Sequence, residues 1–128
     1  MTTAERAAVL VASLLGLLGL INGVEITTDH LNAADFAPHA RFHAALGGIL
    51  MIAMSLVALG MTWSTKTRRM GRGVPLFLVL ASMPLAFLTA LAIVPTGSPG
   101  GNYVQLAFFG LGLAIVTLLL LLRGHPDS

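Results

Sequence analysis

The chain contains no cysteine, so disulfides, thiolate metal ligands and cysteine nucleophiles are excluded. Charge is also scarce. Asp, Glu, Lys and Arg make up 9% of the residues, against about 25% in an average soluble domain. Aromatics are few, with a single tryptophan and a single tyrosine. The pI of about 10.0 is therefore not a nucleic-acid signal, because the basic residues form no patch interleaved with aromatics, and no nucleic-acid partner is expected. No internal repeat is visible; the two halves share a helix-pair layout but no residue pattern.

What remains is hydrocarbon. Of 128 residues, 56% are hydrophobic, and the mean hydropathy is +0.91. About 20 mostly apolar residues suffice to cross a bilayer as a helix. Four such runs are present, at about 7–24, 42–63, 74–94 and 103–122. A soluble helical core would need a polar outer surface, which four such runs do not leave. The expected fold is all-α: a single domain over 1–128, built as an integral membrane four-helix bundle. The first run ends Leu20-Ile21-Asn22-Gly23-Val24-Glu25 with no small-x-small cleavage site, so it is expected to be a membrane helix rather than a signal peptide.

The basic residues set the orientation. Arg6 precedes the first run, Lys66, Arg68, Arg69 and Arg72 lie between the second and third, and Arg123 follows the fourth. With four spans these segments share one side, which the positive-inside rule makes cytoplasmic. Both termini are then cytoplasmic, and a multi-pass plasma-membrane protein is expected. The inner connection, 64–73, reads as a flexible basic loop that meets anionic lipid headgroups or serves as a topology signal, with Trp63 as an interfacial anchor beside it.

The opposite side concentrates the chemistry. Seven ionisable side chains, Glu25, Asp29, His30, Asp35, His39, Arg41 and His43, fall within one short stretch. An outer loop is expected over 26–38, with Leu31 and Phe36 dipping into the interface. Asp35 followed by Pro38 reads as a capping carboxylate ahead of a first-turn proline. His39 and His43, at i and i+4, share a helix face with Gly47, which leaves polar groups above a gap in the packing. Met51 and Met54 lie deeper and suit an adaptable apolar surface. Pro84 should kink the third helix, with Ser82 and Thr89 on one face to satisfy freed carbonyls or line a cavity. The second outer connection, about 95–102, is turn-rich, and the tail from Gly124 is short and expected to be disordered. In the first helix Gly16, Gly19 and Gly23 make a small-residue face that permits close helix packing or homo-oligomer formation.

Glu25, His39, His43, Thr96, Asn102, Tyr103 and Gln105 are all expected at one level near the outer interface. Ionisable groups at membrane depth are costly and usually face the bundle interior. Three chemistries fit. The first is acid–base catalysis on a lipophilic substrate, of isomerase or cyclase type. Histidine titrates near neutral pH; His39 and His43, with Glu25 or Asp29, would move protons. Arg41, Gly47, Asn102, Tyr103 and Gln105 would contact the substrate. The second is binding without catalysis, of a lipophilic ligand or of a metal ion chelated by His39 and His43 with His30, Glu25 or Asp29. No HExxH pattern accompanies the pair, and no resident cofactor is otherwise expected. The third is structural, with the histidines bonded to carboxylates and backbone. Membrane lipid is the expected surrounding partner in each case.

The segment Pro38-His39-Ala40-Arg41-Phe42-His43 resembles a Pro-Pro-His-Ala-Arg/Lys-Phe-His motif of uncharacterised small four-helix membrane proteins, with Ala37 in place of the first proline. That resemblance implies that His39, Arg41 and His43 belong to one site. The layout is similar, in architecture alone, to emopamil-binding-type sterol isomerases, whose tryptophan-rich pattern is absent here. Small multidrug-resistance transporters also have four helices and a first-helix glutamate, which would make the chain a proton-coupled transporter; here Glu25 stands at the helix end rather than its middle.

Overall fold

The computed structural model describes the chain apart from Ala33, Phe36, 70–72, 94–101 and 125–128; of His39 it describes the backbone alone. Expectations for Phe36, Arg72, Thr96, most of the second outer connection and the tail beyond Gly124 lie outside these residues. Five helices follow in order: α1 (Thr3–Leu31), α2 (Pro38–Trp63), α3 (Thr65–Arg69), α4 (Val74–Ile93) and α5 (Tyr103–Gly124). No strand occurs among the described residues. The four long helices are each long and apolar enough to cross a membrane, so the chain is an all-α, multi-pass membrane bundle.

Each long helix starts or ends for a local reason. At the start of α1, Thr2 Oγ1 accepts from the Glu5 amide at 3.1 Å and Glu5 Oε2 accepts from the Thr2 amide at 2.8 Å. This capping box satisfies two amides that the helix leaves unpaired. α2 starts with Pro38 in its first turn, where a missing N–H costs nothing. Its N-cap is Ala37, which makes no side-chain cap, so Asp35 does not take the expected capping position and stands exposed in a turn.

α1 runs seven residues beyond the expected end at Val24 and absorbs much of the expected outer loop. The sequence there, Ile26-Thr27-Thr28-Asp29, is poor in helix formers. Side chains compensate. Thr27 Oγ1 donates to the Gly23 carbonyl at 2.7 Å, and Thr28 Oγ1 to the Val24 carbonyl at 2.9 Å. The contact with α2 that Gly16, Gly19 and Gly23 make continues into this segment, where Thr27 lies against Gly48.

α1 and α2 run antiparallel, since Gly16 meets Leu59 and Gly23 meets Ile52, as do α4 and α5, since Gly73 meets Leu121 and Pro84 meets Gly110; the spatial order is α2, α1, α5, α4, with α2 and α4 packing most sparsely among neighbours. The glycine face of α1 is occupied by α2. A Cβ on Gly16 would lie 2.7 Å from Leu59, and one on Gly23 would lie 2.9 Å from Ile52 and 3.1 Å from the Gly48 carbonyl oxygen. This is the close approach that small residues permit in a membrane.

The dense core lies in the inner half, built on Ala8, Ala12, Ala58, Leu80, Ala114 and Leu121. Thr62 and Thr117, fully buried there, donate to the carbonyls of Ala58 (2.7 Å) and Leu113 (2.9 Å), so neither hydroxyl is stranded. Leucines and isoleucines such as Leu10, Leu14, Leu17 and Ile21 are exposed outward, the position lipid requires of them.

The inner connection is not simply a flexible basic loop. It contains α3, and Arg68 folds inward to 3% exposure. Its guanidinium donates to the Thr62 carbonyl in the last turn of α2 and reaches Thr65 Oγ1 at 3.4 Å and Met1 Sδ at 3.4 Å. A cation at a helix C-terminus is favourably placed against the unpaired carbonyls. Gly73, at φ 83°, then turns the chain into α4 against Leu121.

Candidate functional site

Above the inner core the helices part. A cavity of about 380 Å³ lies between all four long helices in the outer half of the bundle. That is within the usual range for small-molecule pockets, about 300–1,000 Å³. Its α1 wall is centred on the helical stripe Leu15, Gly19, Asn22, Ile26 and His30, flanked by Gly16 and Leu18. Steps of three and four residues keep the stripe on a single face. α2 contributes Ala44, Met51, Met54, Ser55 and Ala58; α4 contributes Val79 to Phe87 in part, including Met83 and Pro84; α5 contributes Tyr103, Leu106, Ala107 and Gly110.

Pro84 helps to shape this wall. It lacks the amide that would bond the Leu80 carbonyl. Its ring packs toward Gly110, where a Cβ would come within 3.2 Å of Pro84 Cγ. Ser82 donates to Val79 at 2.7 Å and Thr89 to Leu85 at 2.7 Å. Neither hydroxyl therefore serves the Leu80 carbonyl, and neither stands on the cavity wall.

Four polar side chains meet the cavity, and they are unequal. Asn22 Nδ2 donates to the Leu18 carbonyl at 2.8 Å, and Ser55 Oγ to the Met51 carbonyl at 2.8 Å. Both donors are thus engaged by their own helices, which makes the deep wall close to apolar. His30 and Tyr103 stand at the outer end, at the last turn of α1 and the first of α5. His30 Nδ1 is 2.6 Å from the Ile26 carbonyl. A carbonyl only accepts, so Nδ1 carries the proton there and Nε2 is the basic nitrogen of the neutral ring.

Of the residues singled out from sequence, Tyr103 is on the cavity wall. Glu25 and Asp29 are exposed on the neighbouring stripe of α1, each one residue before a wall residue and hence about 100° around the helix. His43 is exposed and stacks edge-on against Phe42, with ring centroids 5.6 Å apart at 75°. Gly47 is open, with nothing within 4 Å of a Cβ built on it. Arg41 is half-buried, while Asn102 and Gln105 are exposed. The side chain of His39 lies outside the described set. Among the described residues no three His, Asp or Glu side chains group closely enough to hold a metal ion.

Among the wall residues that sequence reasoning did not assign to a site are Asn22, Ser55, Met83 and Phe87, while His30 entered it only as a completing ligand in the metal reading. The available signal was the stripe 15-19-22-26-30, which becomes visible once α1 is extended past Val24. Comparison with protein-family models, curated proteins and solved structures gives no match.

Proposed function

We propose that this is a plasma-membrane protein, with both termini cytoplasmic, that holds a lipophilic small molecule in the outer half of its bundle. The observation that carries the reading is the cavity itself: a mostly apolar chamber reached by four helices, with His30 and Tyr103 at its outer end and the deeper Asn22 and Ser55 donating to their own helices. Packing in the inner half is tight, so the open outer half is not a general looseness of the fold. A membrane helix bundle gains most from close packing, and a chamber of this size forgoes that gain. The polar outer end, His30 and Tyr103, would meet the hydrophilic end of the ligand.

A second reading, acid–base catalysis of isomerase or cyclase type, is favoured by one observation. His30, with Nδ1 2.6 Å from the Ile26 carbonyl, holds its imidazole on the wall at the outer end of the chamber. In this reading His30 and Tyr103 take the proton-transfer roles, and the exposed carboxylates Glu25 and Asp29 act from the mouth.

The test is chemical. Protein extracted with its native lipid in polymer-bounded nanodiscs is compared with Met54→Trp and Met83→Trp, which fill the chamber from two helices. Enrichment of one lipophilic species in the parent alone supports the proposal; identical lipid profiles overturn it. The enriched species is then incubated with parent and His30→Ala. An isomer of unchanged mass formed by the parent alone supports catalysis, and an unaltered species leaves binding.

A further inference from the structure

The hydrogen-bonding groups of the chamber narrow the class of molecule it takes, an argument that rests on the binding proposal above. Below His30 and Tyr103, the polar side chains of the described wall are Asn22 and Ser55. They stand on facing helices, one turn apart. Gly19, three residues before Asn22 and on its face, packs on Ser55: a Cβ built on Gly19 would lie 2.5 Å from Ser55 Oγ. The absent side chain at Gly19 is what leaves room for the hydroxyl.

Both residues have spent a donor on their own helix and kept an acceptor. A carbonyl oxygen only accepts, so the Asn22 atom 2.8 Å from the Leu18 carbonyl is Nδ2. The amide orientation follows from this, and Asn22 Oδ1 is left with no hydrogen-bond partner among the described residues. Ser55 has one hydroxyl proton, which the Met51 carbonyl takes at 2.8 Å. Its Oγ then offers lone pairs alone. On α4, the wall residue Leu80 has a carbonyl without its α-helical donor, because Pro84 has no amide.

The wall below the outer end is therefore rich in acceptors and poor in donors. An acceptor left unpaired in apolar surroundings costs free energy, and a group that donates to it recovers that cost. A hydrocarbon, ether, ester or ketone brings no proton to Asn22 Oδ1 or Ser55 Oγ. A hydroxyl does, and it can accept the remaining Nδ2 proton of Asn22 in return. A charged group is matched worse, since the described wall has no Asp, Glu, Lys or Arg to balance it.

We infer that Asn22 and Ser55 form a subsite for a neutral hydrogen-bond donor, and that the bound lipophile carries an alcoholic or phenolic hydroxyl on the part lying inside the chamber. The subsite is separate from the polar outer end, two helical turns along α1 from His30.

The experiment uses the full chain in nanodiscs of diacyl phosphatidylcholine and a matched pair of photo-probes, a para-hydroxyphenyl trifluoromethyl diazirine and its methyl ether. The ether lacks the proton that the phenol donates. After photolysis, labelling is mapped by mass spectrometry. Labelling of the wall residues Met51, Met54 and Met83 is divided by labelling of the outward-facing Leu78 and Leu119, which corrects for partition into the bilayer. In the parent, the ratio for the phenol should exceed that for the ether by at least about threefold, within the range of one neutral hydrogen bond. Asn22→Leu and Ser55→Ala should each reduce the phenol ratio toward the ether ratio. The ether ratio should stay constant, which reports an intact chamber. Equal ratios for the two probes in the parent would overturn the inference while leaving a lipophile site in place. A phenol preference that survives the combined Asn22→Leu and Ser55→Ala substitutions would overturn it too, because the proton is then read elsewhere. Wall labelling no higher than outward-facing labelling with either probe would overturn the binding proposal itself.

Discussion

Gly23 and Gly48 face one another where α1 crosses α2: a Cβ on either would lie 3.1 Å from the carbonyl oxygen of the other. This reciprocal contact brings the two backbones together at the level of the chamber and fixes the register of its longest walls. Gly47, one residue earlier, points into open space. The pair offers a matched comparison. Gly48→Leu should lower stability by about 1–3 kcal/mol, the usual cost of overpacking, and Gly47→Leu should change it by less than about 0.5 kcal/mol, as expected of a site with no neighbour to displace. Thermal unfolding of both variants in one detergent measures the difference.

Gly73 is tested on other grounds. Its φ of 83° is a conformation that a side chain resists, and an added Cβ would run into Leu121. Gly73→Ala should cost about 1–3 kcal/mol through strain at this turn. The loss should be similar in detergent and in bilayer, since both causes are local. A melting temperature equal to the parent's would show that the turn relaxes freely.

Arg68 joins the connection to the bundle by donating to the Thr62 carbonyl. Charged hydrogen bonds contribute about 1.5–3 kcal/mol, so Arg68→Met should destabilise by about that amount. The neighbouring, exposed Arg69→Met should fall within about 0.5 kcal/mol of the parent. Both remove one positive charge, so the comparison separates the buried contact from the topology signal. Equal effects in the two variants would mean that the buried contact contributes nothing.

How much of this was legible beforehand follows from what hydropathy can encode. Four apolar runs gave four helices, because a bilayer demands length and apolarity and little else. Which face of each helix points inward is a different matter. Lipid and core are both apolar, so the patterning that marks a buried face in water is nearly absent. Small residues carried the remaining information. Gly16, Gly19 and Gly23 correctly indicated a close contact, although its partner is α2 of the same chain. The extension of α1 was hidden because Ile26-Thr27-Thr28-Asp29 reads as a loop, and the hydroxyl bonds to Gly23 and Val24 that support the helix become visible only in three dimensions. That extension brings His30 onto the stripe of Asn22 and Ile26. It leaves Glu25 and Asp29 on the next one. Choosing the histidine pair at 39 and 43 followed from spacing, while the chamber follows from packing.

The two described histidines near the mouth should therefore differ. His30→Phe replaces a chamber residue at similar bulk, and it should reduce retention of the bound lipophile by about tenfold if a single hydrogen bond of about 1.4 kcal/mol is lost. His43→Phe, on the exposed face beside Phe42, should leave retention unchanged. Lipid extraction and quantification from equal amounts of each variant gives the ratio.

The absence of cysteine makes the chain ready for single-site labelling. Met54→Cys should be shielded from a bulky aqueous maleimide, and Asp29→Cys should react readily. Protection of both sites would move Asp29 into the bundle and redraw the mouth of the chamber.

The central claim is that one lipophilic molecule occupies the outer half of the bundle, and native mass spectrometry of protein released from nanodiscs tests it most directly. The account predicts a single adduct of defined mass on the parent, surviving the collision energy that strips surface lipid, and missing from Met54→Trp and Met83→Trp. A parent that sheds every adduct at that energy, or filled variants that keep the same one, would contradict it.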